Sequence, residues 1–428
     1  MSAMKYSGKR KRSKTQAVAN TDVRPWKIVY VILCLALIAL TANQLFLIPQ
    51  GRLAYGEDYV VFVSAVQVLD NMQNPYILEN INQYTGGGGN LQFVYPPHTL
   101  YFFWILQFIS LFQNIWIYYA LLVVLLVISG YLLVTLDQKP HYLFLTTLLL
   151  TGFMSTFWNF ITGNKDILFL LLFAIILTLW VKEKYWQSSI VIGLAAGFSL
   201  FAAPFAALYL AIKRPILNRL AFIALSIGVV ATLFLVSYCI NPTYLVSYIG
   251  VLLHGSSSPL YESGGWNTPT PYLMFKDILN SISPGNFLPW VTISCVYVGL
   301  ILYATWNYYL KHNADTLKIY SLVMLSIFMI LPRIKPYNFI ILVIPLYFLF
   351  KDCSYRMKSL ILGVISLPIF VWYSPVLSVS GRDSVPYIQV YSLILIFLVV
   401  ILYDHLTFAS NEKEKDGKTP HRDNAHTE

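Results

Sequence analysis

The chain has 428 residues, of which 57% are hydrophobic, 16% aromatic and only 11% charged. Soluble globular domains carry about 25% charged residues, so the composition excludes that class. The formal net charge is +10, but the basic residues cluster at the N-terminus and in short loops. That distribution is typical of a membrane protein and argues against nucleic-acid binding.

Apolar runs recur along the whole sequence, and each is long enough to cross a hydrocarbon core of about 30 Å as a helix. We therefore predict an all-α polytopic membrane protein with about 11–13 transmembrane helices. Neither metal-ligand spacing nor a disulfide pattern occurs among the four cysteines, so we expect no metal and no cofactor. These cysteines are Cys34, Cys239, Cys295 and Cys353.

The two ends of the chain differ in composition from its middle. Residues 1–26 are basic and polar, and residues 407–428 mix charges without apolar periodicity. We predict that both are disordered cytoplasmic tails around a membrane domain of residues 27–406. The first apolar run, 28–48, is too long for the apolar region of a cleaved signal peptide, so we expect it to remain as a membrane anchor.

A polar loop follows this first span, and we place it on the outer side. It begins with two adjacent carboxylates, Glu57 and Asp58. Apolar positions with helical spacing follow in residues 58–72, which are too short and too polar to span and predict a helix on the membrane surface. The loop ends at Tyr95-Pro96-Pro97-His98, because proline is tolerated in the first turn of the next helix.

Two later runs leave the number of crossings open. If every apolar run crosses the membrane, the basic turn 182–184 lies outside, against the rule that basic loops stay on the cytoplasmic side. If residues 98–113 are re-entrant and the run 189–213 breaks at Pro204, that turn returns to the cytoplasm. Both arrangements keep the termini cytoplasmic and place residues 242–287 outside.

Asp58 is the first candidate for chemistry, and two interpretations compete. It can cap the N-terminus of the helix that follows. It can also act as the general base that takes a proton from an acceptor hydroxyl during glycosyl transfer. Displacement of a phosphate-linked sugar with inversion needs one carboxylate, because phosphate leaves without protonation. Glu57 competes for this role, but helix neighbours point about 100° apart, so one reacting centre is not expected to face both.

Two cations interrupt the apolar pattern on the predicted outer side. Arg333 and Lys335 lie in the segment 332–338, between prolines. They can extend to lipid headgroups, or they can bind an anionic phosphate of a lipid-linked donor.

Other polar positions carry weaker signals. Tyr95 and His98 fit either an interfacial aromatic belt or contact with a sugar. Trp266 and Asn267 can stack on and hydrogen-bond to a sugar. The segment 162–166 reads as a plain turn.

Several motifs resemble glycosyltransferase family 87. Glu57-Asp58-Tyr59, Asn74-Pro75-Tyr76 and Tyr95-Pro96-Pro97 are similar to the family's first outer loop. Gly163-Asn164 resembles its Gly-Gln/Asn element, and 332–338 resembles a later Pro-Arg element. The resemblance implies the C-type membrane glycosyltransferase fold and a polyprenyl-phosphate sugar donor. One feature departs from the family. Members often have a lysine immediately before a proline in this region, whereas here the residue before Pro204 is Ala203.

On this basis we expect a mannosyltransferase-like enzyme of the plasma membrane, with its active site on the outer face. It transfers a hexose or pentose from polyprenyl phosphate to a lipid-linked or cell-surface glycan, with inversion. Asp58 is the catalytic residue. The remaining candidates bind substrate: Glu57, Tyr95, His98, Asn164, Trp266, Asn267, Arg333 and Lys335. The alternative is a transporter or flippase of lipid-linked sugars, which requires ionisable residues at mid-membrane depth.

Overall fold

All regular structure in the described part of the chain is helical, which confirms the all-α prediction. The computed structural model describes residues 23–48, 56–85, 91–111, 114–254, 265–282, 284–285, 287–312, 316–373 and 385–416. Within these ranges, five helices are long and apolar enough to cross a membrane: Arg24–Leu47, Ile115–Thr135, Tyr142–Thr162, Ile216–Ile240 and Leu288–Leu310. Several shorter apolar helices accompany them, as expected for a polytopic membrane protein.

The first helix, α1, spans Val23–Leu47. It therefore includes the last residues of the predicted N-terminal tail. The final helix extends to Asp416 and so passes the predicted domain boundary at residue 406. Residues 1–22 and 417–428, which make up most of the two predicted tails, lie outside the described residues.

The loop after α1 forms three short helices. These are α2 (Glu57–Asp70), α3 (Leu78–Asn82) and α4 (Pro97–Phe108). Helix α2 matches the predicted amphipathic segment, and its apolar face packs on α4, where Phe62 stacks on Phe103 at 4.4 Å. Helix α4 has 12 residues, a length of about 18 Å, which is too short to cross the bilayer alone. Its length favours the re-entrant arrangement of the run 98–113.

The next four helices are α5 (Ile115–Thr135), α6 (Tyr142–Thr151), α7 (Ser155–Thr162) and α8 (Ile167–Val181). A 3₁₀ turn at Gly152–Met154 separates α6 from α7, so the apolar residues 143–163 do not form one regular α-helix. At this break Phe153 and Met154 have positive φ angles of 50° and 61°. Helix α7 ends at Gly163, which leads into the polar turn before α8.

A hairpin follows, formed by α9 (Tyr185–Phe198) and a 3₁₀ segment at Leu200–Ala211. The run 189–213 is broken, as in one of the two arrangements left open by the sequence, but the break occurs at the extended residue Ser199, and Pro204 lies inside the 3₁₀ segment. The two ends of the hairpin meet, because Arg214 pairs with Glu183 and its guanidinium lies 5.7 Å from the Tyr185 ring. The turn 182–184 and residues 212–214 are thus at the same end of the bundle.

The second half contains α10 (Ile216–Ile240), α11 (Pro242–His254), α12 (Pro271–Ile282), α13 (Leu288–His312) and α14 (Thr316–Ile330). After a 3₁₀ segment at Pro336–Leu342 come α15 (Val343–Phe350), α16 (Tyr355–Ile365), α17 (Leu367–Tyr373) and α18 (Ile388–Asp416). The predicted polar loop 242–287 thus contains α11 and α12, and its residues 255–264 lie outside the described residues. The centre of the bundle is formed by α8, α14 and the segment 336–350, whose side chains are largely buried.

Candidate functional site

The turn between α7 and α8 lies directly against the start of α2. Gly163 has φ 68°, and a Cβ atom built there would lie 2.6 Å from Tyr59 Cβ. Both observations require glycine, since a side chain at 163 would be strained and would push α2 away. On the other side of this contact, the Gly56 N–H donates a 2.7 Å hydrogen bond to the Ile161 carbonyl. The beginning of α2 is therefore fixed to the end of α7.

This contact brings Asp58 and Asn164 together. Asn164 Nδ2 donates a hydrogen bond of 2.9 Å to Asp58 Oδ2. The capping alternative for Asp58 is wrong: the N-cap of α2 is Gly56, and Asp58 lies within the first helical turn. Asp58 is half-buried as a whole residue, while Asn164 is fully buried.

Opposing influences act on the Asp58 carboxyl. Burial raises its pKa, while hydrogen bonds from Asn164 and Thr162 and the positive charges of Lys165 and Lys335 act in the opposite direction. The net direction is upward. A raised pKa makes a carboxylate a stronger base, which suits proton abstraction from a hydroxyl.

Next to this carboxylate is a cavity of about 310 Å³. Three cationic side chains and one carboxylate line it, namely Lys165, Arg333, Lys335 and Asp166. The wall is otherwise mainly aromatic and aliphatic, and it includes Tyr95, Phe201, Pro204, Tyr248 and Leu252. Asp58 is not among the residues that line the cavity. It is connected to the cavity wall through its hydrogen-bond partner Asn164, which directly precedes the lining residue Lys165. A cavity with this charge balance suits an anionic group attached to an apolar or neutral body.

The cavity wall at 333–338 is a rigid loop. Asn338 Oδ1 accepts a 2.6 Å hydrogen bond from the Lys335 main-chain N–H. The Asn338 amide donates to Asp166 Oδ2, which joins this loop to the turn before α8. Asn159 Nδ2 also donates to the Tyr337 carbonyl at 3.1 Å. Arg333 and Lys335 are therefore presented by a loop that is held on both sides.

Lys165 and Asp166 are site residues that the sequence analysis missed, because the segment 162–166 was interpreted as a turn. Both are nearly fully buried, with 3% and 1% exposure. Their charged atoms lie 3.5 Å apart, and Lys165 Nζ also lies 3.9 Å from the centre of the Tyr95 ring. Burial lowers the pKa of Lys165 and raises that of Asp166, and each is opposed by its partner. The sequence did contain a clue, because Lys165 and Asp166 are adjacent opposite charges between two apolar runs. Ionisable residues are costly at such positions in a membrane protein and usually indicate a functional site.

The predicted aromatic candidates occupy different positions. Tyr95 lines the cavity under the Lys165 ammonium. His98 is not among the residues lining it: His98 Nε2 lies 2.6 Å from the Gly197 carbonyl, and Nδ1 lies 3.1 Å from Ser237 Oγ. His98 thus joins α4 to the tip of the hairpin and to α10. Its predicted substrate contact stays a prediction.

Other predicted residues are near the site but not in the cavity wall. Glu57 is exposed beside Asp58. Trp266 packs edge-on against Trp372 with ring centres 5.9 Å apart, and Asn267 is exposed. The loop that carries them reaches the site through Thr268, whose Oγ1 accepts a 3.0 Å hydrogen bond from Lys335 Nζ. The structure therefore connects this loop to the cation cluster through a residue that the sequence analysis did not single out.

The described residues contain no group of three or more His, Cys, Asp or Glu side chains placed to hold a metal ion. A reaction without a metal stays a prediction. The site as described can accept a proton at Asp58 and can hold an anionic group at the neighbouring cations.

The fold and site together define an integral membrane protein whose helical bundle has a cavity lined by cations and apolar side chains at one end. The family model for glycosyltransferase family 87 matches residues 93–332. This match covers more than half of the chain, so the protein belongs to glycosyltransferase family 87 and is a glycosyltransferase. A comparison with curated protein sequences gives no match.

The family match confirms the resemblance seen in the sequence and sets aside the transporter alternative. It includes Tyr95, His98, Asn164, Trp266 and Asn267 but begins after Asp58 and ends immediately before Arg333. The roles of Asp58, Arg333 and Lys335 consequently depend on their geometry and on the motif resemblance.

Proposed function

We propose that this glycosyltransferase transfers a sugar from a polyprenyl-phosphate donor to a hydroxyl of a lipid-linked or cell-surface glycan, with inversion. The observation that supports this proposal best is the cavity of about 310 Å³ with three cations, next to a carboxylate held by Asn164. A lipid-linked donor has one phosphodiester between the sugar and an apolar chain. Both parts of such a molecule match the composition of the cavity wall.

The apolar part of the wall supports a lipid-linked donor. Leu200, Phe201, Pro204 and Leu252 are among the residues that line the cavity. Leu252 and Leu200 are also exposed on the surface of the bundle, at 44% and 38%. An isoprenoid chain can leave the cavity past these residues into the bilayer, whereas a nucleotide would expose its base and ribose to them.

In the proposed reaction, Asp58 takes the proton of the acceptor hydroxyl as its oxygen attacks the anomeric carbon. The bond between that carbon and the phosphate oxygen breaks on the opposite face, which inverts the configuration. The donor phosphodiester carries one negative charge and leaves as a phosphate monoester with a second. Lys165, Arg333 and Lys335 stabilise this developing charge, which is the electrostatic part of catalysis.

Asp166 then has a separate role from Asp58. It pairs with Lys165 and accepts a hydrogen bond from Asn338, so it holds the cation and the 333–338 loop in place. Because these interactions occupy both of its oxygens, Asp58 is the better candidate for the base.

The mannosyl specificity and the plasma-membrane outer face belong to the same proposal. They are supported by the motif resemblance and by the basic N-terminal segment, which favours a cytoplasmic N-terminus. The assay is purified protein in detergent or nanodiscs with a panel of radiolabelled donors: polyprenyl-phosphate mannose, glucose and arabinofuranose, and GDP-mannose. We expect turnover with a polyprenyl-phosphate sugar and none with the nucleotide sugar. Turnover with GDP-mannose alone would overturn the proposed donor class.

A further inference from the structure

A second cavity lies at the opposite end of the bundle from the candidate active site. It has a volume of about 400 Å³, and its polar lining consists of Glu183, Lys213, Arg214 and Thr316. The 3₁₀ segment 200–211 contributes residues to both cavities. Helices α8 and α14 run between them: each lines the second cavity near one end, and Asp166 and Leu331, which adjoin their other ends, line the first. Helix α8 alone has 15 residues, so the cavities are roughly 22 Å apart.

The basic side of this cavity is preorganised by contacts within the 210–219 turn. Arg219 donates hydrogen bonds to the main-chain carbonyls of Arg214 at 2.6 Å and Leu210 at 2.9 Å. The Arg214 guanidinium pairs with Glu183 and lies 5.7 Å from the Tyr185 ring. Arg219 thus fixes the backbone of the turn, so that Lys213 and Arg214 project from a defined position.

The lining has one more cation than carboxylates, and Glu183 is 65% exposed. An anion that enters the cavity can therefore displace Glu183 from one edge of the Arg214 fork at little cost, since exposed ion pairs are worth little. The buried aromatic wall, which includes Trp180 at 3% exposure, keeps one side of the cavity dry. This arrangement suits one phosphate group better than a multiply charged polymer.

Apolar side chains on the bundle surface begin directly after the two cations. Ile216 and Leu217, in the first turn of α10, are 58% and 76% exposed, and Leu220 is 49% exposed. Helix α10 is a candidate membrane span of which only 17% is buried inside the protein. A ligand with its anionic group at Lys213 and Arg214 would therefore have acyl chains in contact with α10.

We propose that this second cavity binds the phosphate headgroup of an anionic membrane lipid. Basic pockets between transmembrane helices commonly hold such headgroups. The competing explanation is that Lys213 and Arg214 are only basic residues flanking a span, as the positive-inside rule requires. The two explanations predict different effects of removing a cation. If the cavity is a binding site, lipid binding depends on the particular cations in its wall; if the residues only flank a span, it depends on the number of basic residues at that end.

The experiment measures lipid binding by native mass spectrometry and lipid-induced thermal stabilisation of the purified full chain. The probes are phosphatidylglycerol, phosphatidylcholine as the zwitterionic control, and inorganic phosphate alone. Lys213→Ala and Arg214→Ala are compared with Lys182→Ala, which removes an exposed cation at the same end but outside the cavity wall. We expect each cavity variant to weaken phosphatidylglycerol binding by about fivefold and the control to change it by less than twofold.

A second pair of variants tests the competition by Glu183. Glu183→Gln should tighten phosphatidylglycerol binding, because the Arg214 fork loses its competitor. Asp352→Asn changes the net charge equally at an exposed carboxylate that pairs with Lys351 outside this cavity, and it should have little effect.

Three outcomes would overturn the proposal: equal losses in Lys182→Ala and the cavity variants, equal binding of phosphatidylcholine, or saturation of the cavity by inorganic phosphate without lipid. Because the readout is lipid binding, the result is independent of the proposed transferase reaction.

Discussion

Asn164 Nδ2 donates a 2.9 Å hydrogen bond to Asp58 Oδ2 and so joins two residues that are 106 positions apart. An amide that donates to a carboxylate stabilises its charged form, whereas burial favours the neutral form. Here burial is the larger influence, and the pKa of Asp58 is raised. Asn164 is thus placed to limit that rise.

A pH profile tests this role of Asn164. The base works only when deprotonated, so kcat/KM should fall as pH decreases through the pKa of Asp58. The fall should come at a higher pH than for an ordinary aspartate, whose pKa is about 3.9. Asn164→Leu removes the donor, so the acid limb should move further upward. A purely structural Asn164 would lower the activity at all pH values without shifting this limb, and that result would contradict the assignment.

The identity of the base is tested by a matched pair of variants. Asp58→Asn should lower kcat by about 10²-fold or more, as loss of a general base does, with unchanged thermal stability. Glu57→Gln removes the neighbouring carboxylate, which is exposed, and should lose far less activity. Near-normal turnover in Asp58→Asn together with an inactive Glu57→Gln would move the base by one residue.

The sequence allowed the all-α fold class and the helix α2 to be predicted, while the roles of Asp58, Asn164, Arg333 and Lys335 stay predictions. The spacing of apolar residues and the length of apolar runs are local properties of the sequence, so both can be recognised in short segments of the chain. The motifs could be read as well, because each lies in an interruption of an apolar run. The structure places Tyr95, Arg333 and Lys335 around one cavity.

The connections between segments could not be predicted in the same way. Nothing local indicates that the Asn338 amide reaches Asp166, or that Lys165 lies over the Tyr95 ring, because these partners are far apart in the chain. The 3₁₀ break at Gly152–Met154 was also missed, because Thr151, Gly152 and Ser155 are small interruptions within a long apolar run. The second break was considered at Pro204, because proline is not tolerated in the interior of an α-helix. The segment that contains Pro204 is a 3₁₀ helix, and the break lies before it, at Ser199.

The cations of the cavity should contribute unequally to donor use. Arg333→Ala should lower kcat/KM for the lipid-linked donor on the order of 10- to 100-fold, and more than Lys335→Ala. The reason is geometric, because a guanidinium binds two phosphate oxygens at once, while Lys335 already donates to Thr268. Arg333→Lys should restore activity only in part. A stable Arg333→Ala enzyme with parental kcat/KM would show that the phosphate is held elsewhere in the cavity.

Single cysteines test the orientation of the bundle. Asn267 lies at the end with the candidate active site, and Lys184 lies at the opposite end, beside the second cavity. In a background without the four native cysteines, Asn267→Cys should react with a membrane-impermeant thiol reagent on intact cells. Lys184→Cys should react only after permeabilisation. The reverse pattern would place the active site on the cytoplasmic side and contradict the outer-face proposal.

The last prediction concerns a buried ion pair at the same end as Lys184. Asp137, whose side chain is 1% exposed, accepts hydrogen bonds from Lys351 Nζ at 3.1 Å and Tyr347 Oη at 2.6 Å. Lys139 N–H donates to it as well, at 3.0 Å. Burial raises the pKa of Asp137, but these hydrogen bonds and the Lys351 charge outweigh it, so its pKa is lowered overall.

Lys351→Met keeps most of the lysine stem but leaves Asp137 without its cation. We expect a stability loss of about 2 kcal/mol, below the ~3–5 kcal/mol typical of a broken buried pair, because two other donors remain. A lowered folded-state pKa stabilises the protein above the unfolded pKa of about 3.9, and this stability disappears as pH falls through the folded value. The parental Tm should therefore drop more steeply below about pH 4 than that of the variant. The double variant Asp137→Asn/Lys351→Met should recover part of the loss at neutral pH, since the unpaired charge is gone. If Lys351→Met has the parental Tm, this pair does not stabilise the fold.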